Sequence, residues 1–149
     1  MIDQSPDLEK IKKAHFIGIG GIGVSAIARM LILRGVEVSG SDQSGSEVVD
    51  SLRKAGASIY DTHEAFNIPE ETEVVVYTIA ITETNPEFME AMRRRIPMMS
   101  YPQTLTTMSK RNMTIAVAGT HGKTTTTGMI AHILLGLGKD PTVIVGSPV

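Results

Sequence analysis

Ala14-His-Phe-Ile-Gly-Ile-Gly-Gly-Ile-Gly23 is an apolar run that ends in a glycine-rich turn. The glycines at 18, 20 and 23 have the spacing Gly-x-Gly-x-x-Gly, which lets a strand turn into a helix while its backbone approaches a diphosphate. Asp42 closes a second apolar run, at the position where an acidic residue can bind a ribose. The turn predicts a nucleotide site, although tight helix packing would need the same glycines and NAD would fit the same pattern.

Short apolar runs alternate with helix-patterned stretches on both sides of this turn, which is typical of a parallel sheet built from βα units. Five strands are predicted, at residues 14–19, 36–40, 57–60, 74–79 and 96–100. Helices are predicted between them, and one of these begins at Pro86. The fold class is therefore α/β, with a Rossmann-like, parallel-sheet domain over residues 1–111.

A second phosphate-binding pattern lies at residues 117–127, which read Val-Ala-Gly-Thr-His-Gly-Lys-Thr-Thr-Thr-Thr. In a P-loop, Lys123 and the Thr124 hydroxyl would reach the terminal phosphates of a nucleoside triphosphate and Mg²⁺, and Thr125 would contact a phosphate. The predicted nucleotide contacts in the turn itself are Gly119, Thr120, His121 and Gly122. The usual first glycine falls at Val117, so a chance Gly-Lys-Thr is the alternative.

Strands at 114–118 and 142–145 and a helix at 123–137 are predicted around this second turn. Residues 112–149 would then be the first βαβ unit of a P-loop nucleotide-binding domain. One such unit is too small to enclose a core of its own, so we expect the sequence to be cut inside a second domain.

Composition excludes several classes of function. The formal net charge is −2 and the longest run of like charge is three arginines, so nucleic acid is not an expected partner. There are no cysteines, which excludes disulfides and thiolate metal sites. No apolar run approaches the roughly 20 residues that would span a bilayer, and no signal peptide is visible, so we expect a cytoplasmic protein without a membrane partner.

The four histidines have different environments in this scheme. His121 lies inside the lysine turn, where it either approaches phosphate or a metal or faces solvent. His63 follows the third predicted strand, at the edge where ligands bind in open α/β sheets, so it either contacts a nucleotide base or is a surface residue. His15 and His132 fit structural positions in a strand and a helix.

Three segments together resemble, in order and spacing, the N-terminal third of the Mur ligases. They are Phe16-Ile-Gly-Ile-Gly-Gly-Ile-Gly-Val-Ser25, Val38-Ser-Gly-Ser-Asp42 and Ala116-Val-Ala-Gly-Thr-His-Gly-Lys-Thr-Thr-Thr-Thr127. The resemblance implies an ATP- and Mg²⁺-dependent enzyme of peptidoglycan precursor synthesis. It would join L-alanine to the muramoyl carboxylate of UDP-N-acetylmuramate through an acyl phosphate.

The resemblance also implies roles for individual residues. The first domain would bind the UDP-sugar. The diphosphate would lie near Gly20, Gly21, Gly23 and Ser25, and uridine near Ser41 and Asp42. The pocket would also be lined by His63, Thr78 and Ala80. Lys123 would act as the catalytic cation on the transferred phosphoryl group, with Thr124 ligating Mg²⁺.

The sequence departs from the family pattern at two places, and three alternative functions stay open. The chain has Tyr101-Pro102-Gln103 where relatives commonly carry Arg-Ala-Glu/Gln, and Val145-Gly-Ser147 where Gly-Gly is usual. The acidic Mg²⁺ ligand and the alanine site would lie beyond residue 149, so we expect the fragment to be inactive alone. The alternatives are a related ligase that attaches a whole tripeptide, an NAD(P)-dependent dehydrogenase and a nucleotide switch.

Overall fold

The computed structural model describes residues 6–145, except the side chain of Arg111. Its centre is a five-stranded sheet in the order β3-β2-β1-β4-β5, in which every neighbouring pair is parallel. The strands are β1 (Lys13–Ile17), β2 (Glu37–Ser41), β3 (Ser58–Tyr60), β4 (Val74–Tyr77) and β5 (Met98–Ser100). The predicted α/β class and all five strands predicted between residues 14 and 100 are confirmed, with small shifts at their ends.

Five helices accompany the sheet: α1 (Ile22–Leu33), α2 (Glu47–Lys54), α3 (Pro86–Arg93), α4 (Tyr101–Arg111) and α5 (Lys123–Gly136). A 3-10 turn at Ala65–Asn67 follows β3. Helix α4 was not predicted, although its signal is present: Ser100 and Gln103 form a capping box, and Pro102 stands in the first turn. None of the helices within residues 6–145 is long and apolar enough to cross a membrane.

The sheet is buried on both faces, because successive side chains of a strand point to opposite sides. Phe16 and Val76 belong to a large apolar cluster that includes the buried side of α1. Ile17 and Val75 belong to a smaller cluster with Ala91 of α3. With both faces covered, the carboxyl ends of the strands are where the glycine turn meets the ends of β2 and β4.

The predicted strands at 114–118 and 142–145 are wrong, since neither segment forms a strand in the structure. A strand needs a neighbour for its backbone hydrogen bonds, and no segment within residues 6–145 supplies one there. Helix α5 forms as predicted, but none of its residues is buried. Of the proposed βαβ unit over 112–149 only the helix is present, and residues 146–149 lie outside the described part.

Candidate functional site

The last residues of the five strands form one row across the sheet. The register pairs Ile17 with Ser41 and with Tyr77, and extends the row to Tyr60 on one side and Ser100 on the other. The next residues along the chain, among them Gly18, Asp42 and Thr78, therefore lie together at the carboxyl edge. Ligands bind at this edge in open α/β sheets.

The glycine turn is built directly onto this row. The N–H groups of Gly18 and Ile19 both donate to the carbonyl oxygen of Ser41, at 2.8 and 3.0 Å. Gly18 has a φ of +76°, a conformation that glycine adopts without strain. Gly21 caps α1 without any side-chain hydrogen bond, so the N-terminus of α1 offers backbone N–H groups and its positive dipole end at the exposed edge.

The ends of β2 and β4 hold this turn in shape. Asp42 Oδ2 accepts the N–H of Gly20 at 2.7 Å, and Oδ1 accepts the N–H of Ser44 at 2.8 Å. A Cβ on Gly18 would lie 2.5 Å from Thr78 Cγ2, so the β4 end packs closely against the turn. Ala80, two residues further, is exposed and donates its N–H to Thr78 Oγ1 at 3.5 Å.

Ser25 and Gly23 lie within the first turns of α1. The Ser25 side chain is buried and its hydroxyl donates to the carbonyl oxygen of Ile22 at 2.8 Å, so the contact predicted with a diphosphate stays a prediction. A Cβ on Gly23 would overlap the ring of Tyr101 and lie 2.5 Å from the phenol oxygen. Tyr101 is thus a neighbour of the glycine turn that was not predicted from the sequence, although its position directly after the fifth strand is a signal for it.

A buried polar network lies beneath Ser41 and His63. Glu87, in the first turn of α3, is fully buried and is placed there by Asn85, whose Oδ1 accepts the N–H of Glu87 at 2.9 Å. Ser41 Oγ lies 2.5 Å from Glu87 Oε2 and 2.7 Å from His63 Nδ1. Asn67 Nδ2 donates to Glu87 Oε1 at 2.7 Å. The network joins the ends of β2 and β3 to the start of α3.

His15, on β1, borders the same network. Its side chain is buried, which agrees with the structural role predicted for it. His15 Nδ1 lies 2.8 Å from Ser39 Oγ, while Nε2 lies 3.8 Å from Glu87 Oε2 and has no hydrogen-bond partner within residues 6–145. Burial raises the pKa of the Glu87 carboxyl, but the nearby His15 imidazole and the hydrogen bonds from Ser41 and Asn67 outweigh it and leave that pKa below its usual value. Glu87 is therefore a buried carboxylate anion that accepts hydrogen bonds from the side chains of Ser41 and Asn67.

The network was not foreseen in the sequence. Glu87 follows Pro86 at the start of a helix, where an acidic residue normally interacts with the helix dipole at the surface. Nothing in that local pattern indicates a buried carboxylate, because its partners lie 20 to 46 residues away.

The lysine turn forms a second, exposed arrangement. Gly122 has a φ of +77° and caps α5 without a side-chain hydrogen bond. Lys123 Nζ folds back over the turn and donates to the carbonyl oxygens of Gly119 and Thr120, at 2.7 and 3.4 Å. His121 and Thr125 are exposed and Thr124 is half-buried. A cation beside a helix N-terminus is chemically suited to hold phosphate.

A metal ion would find few ligands here in the part of the chain that is described. Residues 6–145 contain no group of three or more histidine or acidic side chains arranged to hold a metal ion. The Thr124 hydroxyl would therefore supply only one oxygen of a Mg²⁺ shell, alongside phosphate oxygens and water, which is the usual way Mg²⁺ is bound at such sites.

The sheet topology and the glycine turn at its carboxyl edge define a Rossmann-like α/β domain. Residues 13–113 match the family model described as "Mur ligase family, catalytic domain". The chain belongs to the Mur ligase family.

Similar proteins agree with this assignment. The chain is 50% identical over 138 residues to the UDP-N-acetylmuramate–L-alanine ligase of Aquifex aeolicus, covering 93% of this chain and 30% of that one. It is 48% identical over 136 residues to the enzyme of the same name from Clostridium acetobutylicum, again covering 30% of it. The chain thus spans about 30% of the length of the curated relatives it matches.

Solved structures give the same result. The UDP-N-acetylmuramate-alanine ligase MurC of Thermotoga maritima superposes with a TM-score of 0.84 at 40% identity, covering 92% of this chain and 32% of that one. The murein peptide ligase Mpl of Psychrobacter arcticus superposes with a TM-score of 0.75 at 29% identity, covering 85% and 27%. The fold of this chain is therefore shared with these two solved ligases.

Proposed function

We propose that this chain is the UDP-N-acetylmuramate-binding part, and the start of the ATP-binding part, of an ATP-dependent UDP-N-acetylmuramate–L-alanine ligase. One observation carries the proposal. The residues predicted to bind the UDP-sugar come from four separate segments, and they meet at the carboxyl edge of one sheet. The names of the similar proteins support the choice of substrates.

The proposed roles follow the geometry of that edge. The diphosphate binds at the N-terminus of α1, where Gly20, Gly21 and Gly23 bring backbone close and no side chain caps the helix. Uridine extends from there toward the ends of β2 and β3, where Ser41, Asp42 and His63 lie. The sugar side of the ligand lies near the β4 loop that carries Thr78 and Ala80.

The proposed reaction has two steps. An oxygen of the muramoyl carboxylate attacks the γ-phosphorus of ATP, ADP leaves, and an acyl phosphate forms. The amine of L-alanine then attacks the acyl carbon, and inorganic phosphate leaves as the amide bond forms and the amine loses a proton. Lys123 is the catalytic cation that stabilises charge on the transferred phosphoryl group.

The lysine turn fits this assignment in its chemistry. Lys123 donates to two carbonyls of its own turn, at Gly119 and Thr120, and a phosphate oxygen would replace these acceptors. The N–H groups at the start of α5 complete the anion site, with His121, Gly122 and Thr125 around it. Bound Mg²⁺ would neutralise phosphate charge, with the Thr124 hydroxyl as one of its ligands.

A ligase of this kind would act in peptidoglycan precursor synthesis in the cytoplasm, where ATP and UDP-sugars are both present. The finding that no helix within residues 6–145 can cross a membrane is compatible with that location.

Calorimetry with the 149-residue chain tests the first part of the proposal. We expect UDP and UDP-N-acetylmuramate to bind without ATP, and NAD to give no heat. Binding of NAD together with no heat from either uridine nucleotide at millimolar concentration would contradict it.

Phosphate release by the full-length ligase tests the second part. We expect turnover with UDP-N-acetylmuramate, ATP, Mg²⁺ and L-alanine. Turnover with L-alanyl-γ-D-glutamyl-meso-diaminopimelate in place of L-alanine would contradict this part. It would instead assign the chain to ligases such as the UDP-N-acetylmuramate:L-alanyl-γ-D-glutamyl-meso-diaminopimelate ligase of Neisseria meningitidis, which is 30% identical to this chain.

A further inference from the structure

The hydrogen bonds from His63 to Glu87 have a fixed direction. Ser41 Oγ lies 2.5 Å from Glu87 Oε2 and 2.7 Å from His63 Nδ1, and a serine hydroxyl has a single proton to donate. An ionised carboxylate only accepts, so Ser41 donates to Glu87. The same hydroxyl must then accept from His63, which requires the proton of the imidazole to be on Nδ1.

Further contacts of Glu87 agree with this direction. Asn67 Nδ2 donates to the other carboxylate oxygen, Oε1, at 2.7 Å, and His63 Nδ1 itself lies 3.3 Å from Oε2. The Glu87 side chain is fully buried, so no water competes for these acceptors. Each of these donors is directed at the carboxylate, so the Glu87 carboxylate fixes the direction of the hydrogen bonds that run from His63 through Ser41.

The tautomer of His63 decides what the histidine presents to a ligand. In neutral imidazole, a proton on Nδ1 leaves the lone pair on Nε2. His63 Nδ1 faces the buried network, while 15% of the side-chain surface remains exposed at the carboxyl edge. Within residues 6–145 Nε2 has no hydrogen-bond partner. His63 therefore offers an acceptor toward the edge where the nucleotide is proposed to lie.

The position of His63 indicates which part of the nucleotide it meets. In this fold class the ribose lies at the end of β2, so the base lies further out, toward β3. Ser41 ends β2, Tyr60 ends β3, and the register pairs these two residues. His63 follows Tyr60 by three residues. Uracil carries a donor, its N3–H, that matches an acceptor at Nε2.

We propose that Glu87 is a positioning residue for nucleotide binding: acting through Ser41, it holds His63 as the tautomer whose Nε2 accepts a hydrogen bond from the uracil N3–H. The proposal rests on the proposed function, because it needs a uridine nucleotide at this edge. It adds a residue without ligand contact and a specific role for His63.

A double-mutant cycle on UDP affinity tests the proposal. Calorimetry would compare the parent chain with Glu87→Gln, His63→Ala and the double variant, with thermal unfolding as a check on folding. In Glu87→Gln the new side-chain amide would donate to Ser41, which reverses the chain of hydrogen bonds and puts the His63 proton on Nε2. We expect each single change to weaken UDP binding about tenfold, as expected for one lost hydrogen bond. The double variant should be no weaker than His63→Ala alone.

The matched control is Glu90→Gln, which removes a half-buried carboxylate of the same helix, paired with the exposed Arg93, and should leave UDP affinity unchanged. A full additional loss from Glu87→Gln in the His63→Ala background would overturn the proposal, since Glu87 would then act only on the fold. Failure of the parent chain to bind UDP would contradict the proposed function instead, so the two failures are distinguishable.

Two further measurements keep the proposal testable. If Glu87→Gln does not fold, Ser41→Ala interrupts the same chain and should weaken UDP binding by the same factor, again without adding to His63→Ala. UDP methylated at N3 should bind the parent chain at least tenfold more weakly than UDP, and should bind the His63→Ala variant with a smaller penalty. Equal affinities of the parent for the two ligands would overturn the contact with the base.

Discussion

The Asp42 carboxylate accepts the backbone N–H of Gly20 at 2.7 Å, joining the end of β2 to the middle of the glycine turn. Its other oxygen accepts the N–H of Ser44 at 2.8 Å. An acidic residue at this position was expected to bind ribose, yet its two oxygens already hold two loops together. Asp42 therefore shapes the glycine turn, and it lies at the edge where the nucleotide is proposed to bind.

This contact predicts that Gly20→Ala and Gly21→Ala differ sharply. A Cβ on Gly20 would lie 2.7 Å from Asp42 Oδ2 and 3.0 Å from Val49 Cγ2, so we expect a loss of about 1–3 kcal/mol in unfolding free energy and weaker UDP binding. A Cβ on Gly21 meets nothing closer than the Gly18 carbonyl oxygen at 3.5 Å. Gly21→Ala should keep stability within about 0.5 kcal/mol and still weaken UDP binding. Urea denaturation and calorimetry measure the two effects, and equal loss of stability in both variants would contradict the prediction.

The contact between Gly23 and Tyr101 predicts a coupled pair. The ring of Tyr101 occupies the space that a side chain at Gly23 would need. Gly23→Ala and Tyr101→Ala should each destabilise the fold, the first by overlap and the second by lost packing. The double variant should be more stable than the sum of the single losses by about 0.5–3 kcal/mol, because the new methyl group enters the vacated space. Additive losses in urea denaturation would show that the two sites are independent.

Glu87 predicts a pH-dependent difference in stability. Its pKa lies below the ordinary value of 4.5, so the unfolded chain takes up this proton at a higher pH than the folded chain. Its contribution to stability is therefore fully present above pH 4.5 and is lost as the pH falls through the folded pKa. The parent should exceed Glu87→Gln by about 2 kcal/mol at pH 7, as for hydrogen bonds to a charged group, and by less below pH 4.5.

Urea denaturation between pH 3 and 7 checks this expectation. His15 and His63 face the same carboxylate in the parent, so the difference reports Glu87 together with its contacts to these two histidines. A difference that stays constant down to pH 3 would mean that the Glu87 charge does not stabilise the fold.

Lys123 predicts a separation of catalysis from UDP-sugar binding. In the full-length ligase Lys123→Ala should lower the rate of phosphate release by about 10²- to 10³-fold, the usual effect of removing one preorganised charge from a transition state. UDP-N-acetylmuramate affinity should change little, since that ligand is proposed to bind at the other glycine turn. Lys139→Ala, an exposed lysine just beyond the other end of α5, is the control and should keep normal turnover. Near-normal turnover of Lys123→Ala would exclude this turn as the catalytic phosphate site.

The sequence by itself determined the features that depend on neighbouring residues. The β1 strand and its glycine turn were predicted because the pattern of a strand and the residue types of a turn both depend on residues adjacent in the sequence. The same reasoning predicted α5, which the structure has at Lys123–Gly136, and the order of the five strands along the chain. The family resemblance also rests on such local motifs, and the match over residues 13–113 agrees with it.

Only the tertiary structure decided which distant residues meet. Glu87 lies 46 residues from Ser41 and 24 from His63, so its burial and its donors follow from the packing of α3 against the sheet and not from the residues beside it. The ring of Tyr101 lies against Gly23 for the same reason. The strand predicted at 114–118 had the right local pattern but no described neighbour to pair with. A strand is completed by hydrogen bonds to another segment, whereas a helix such as α5 completes its own.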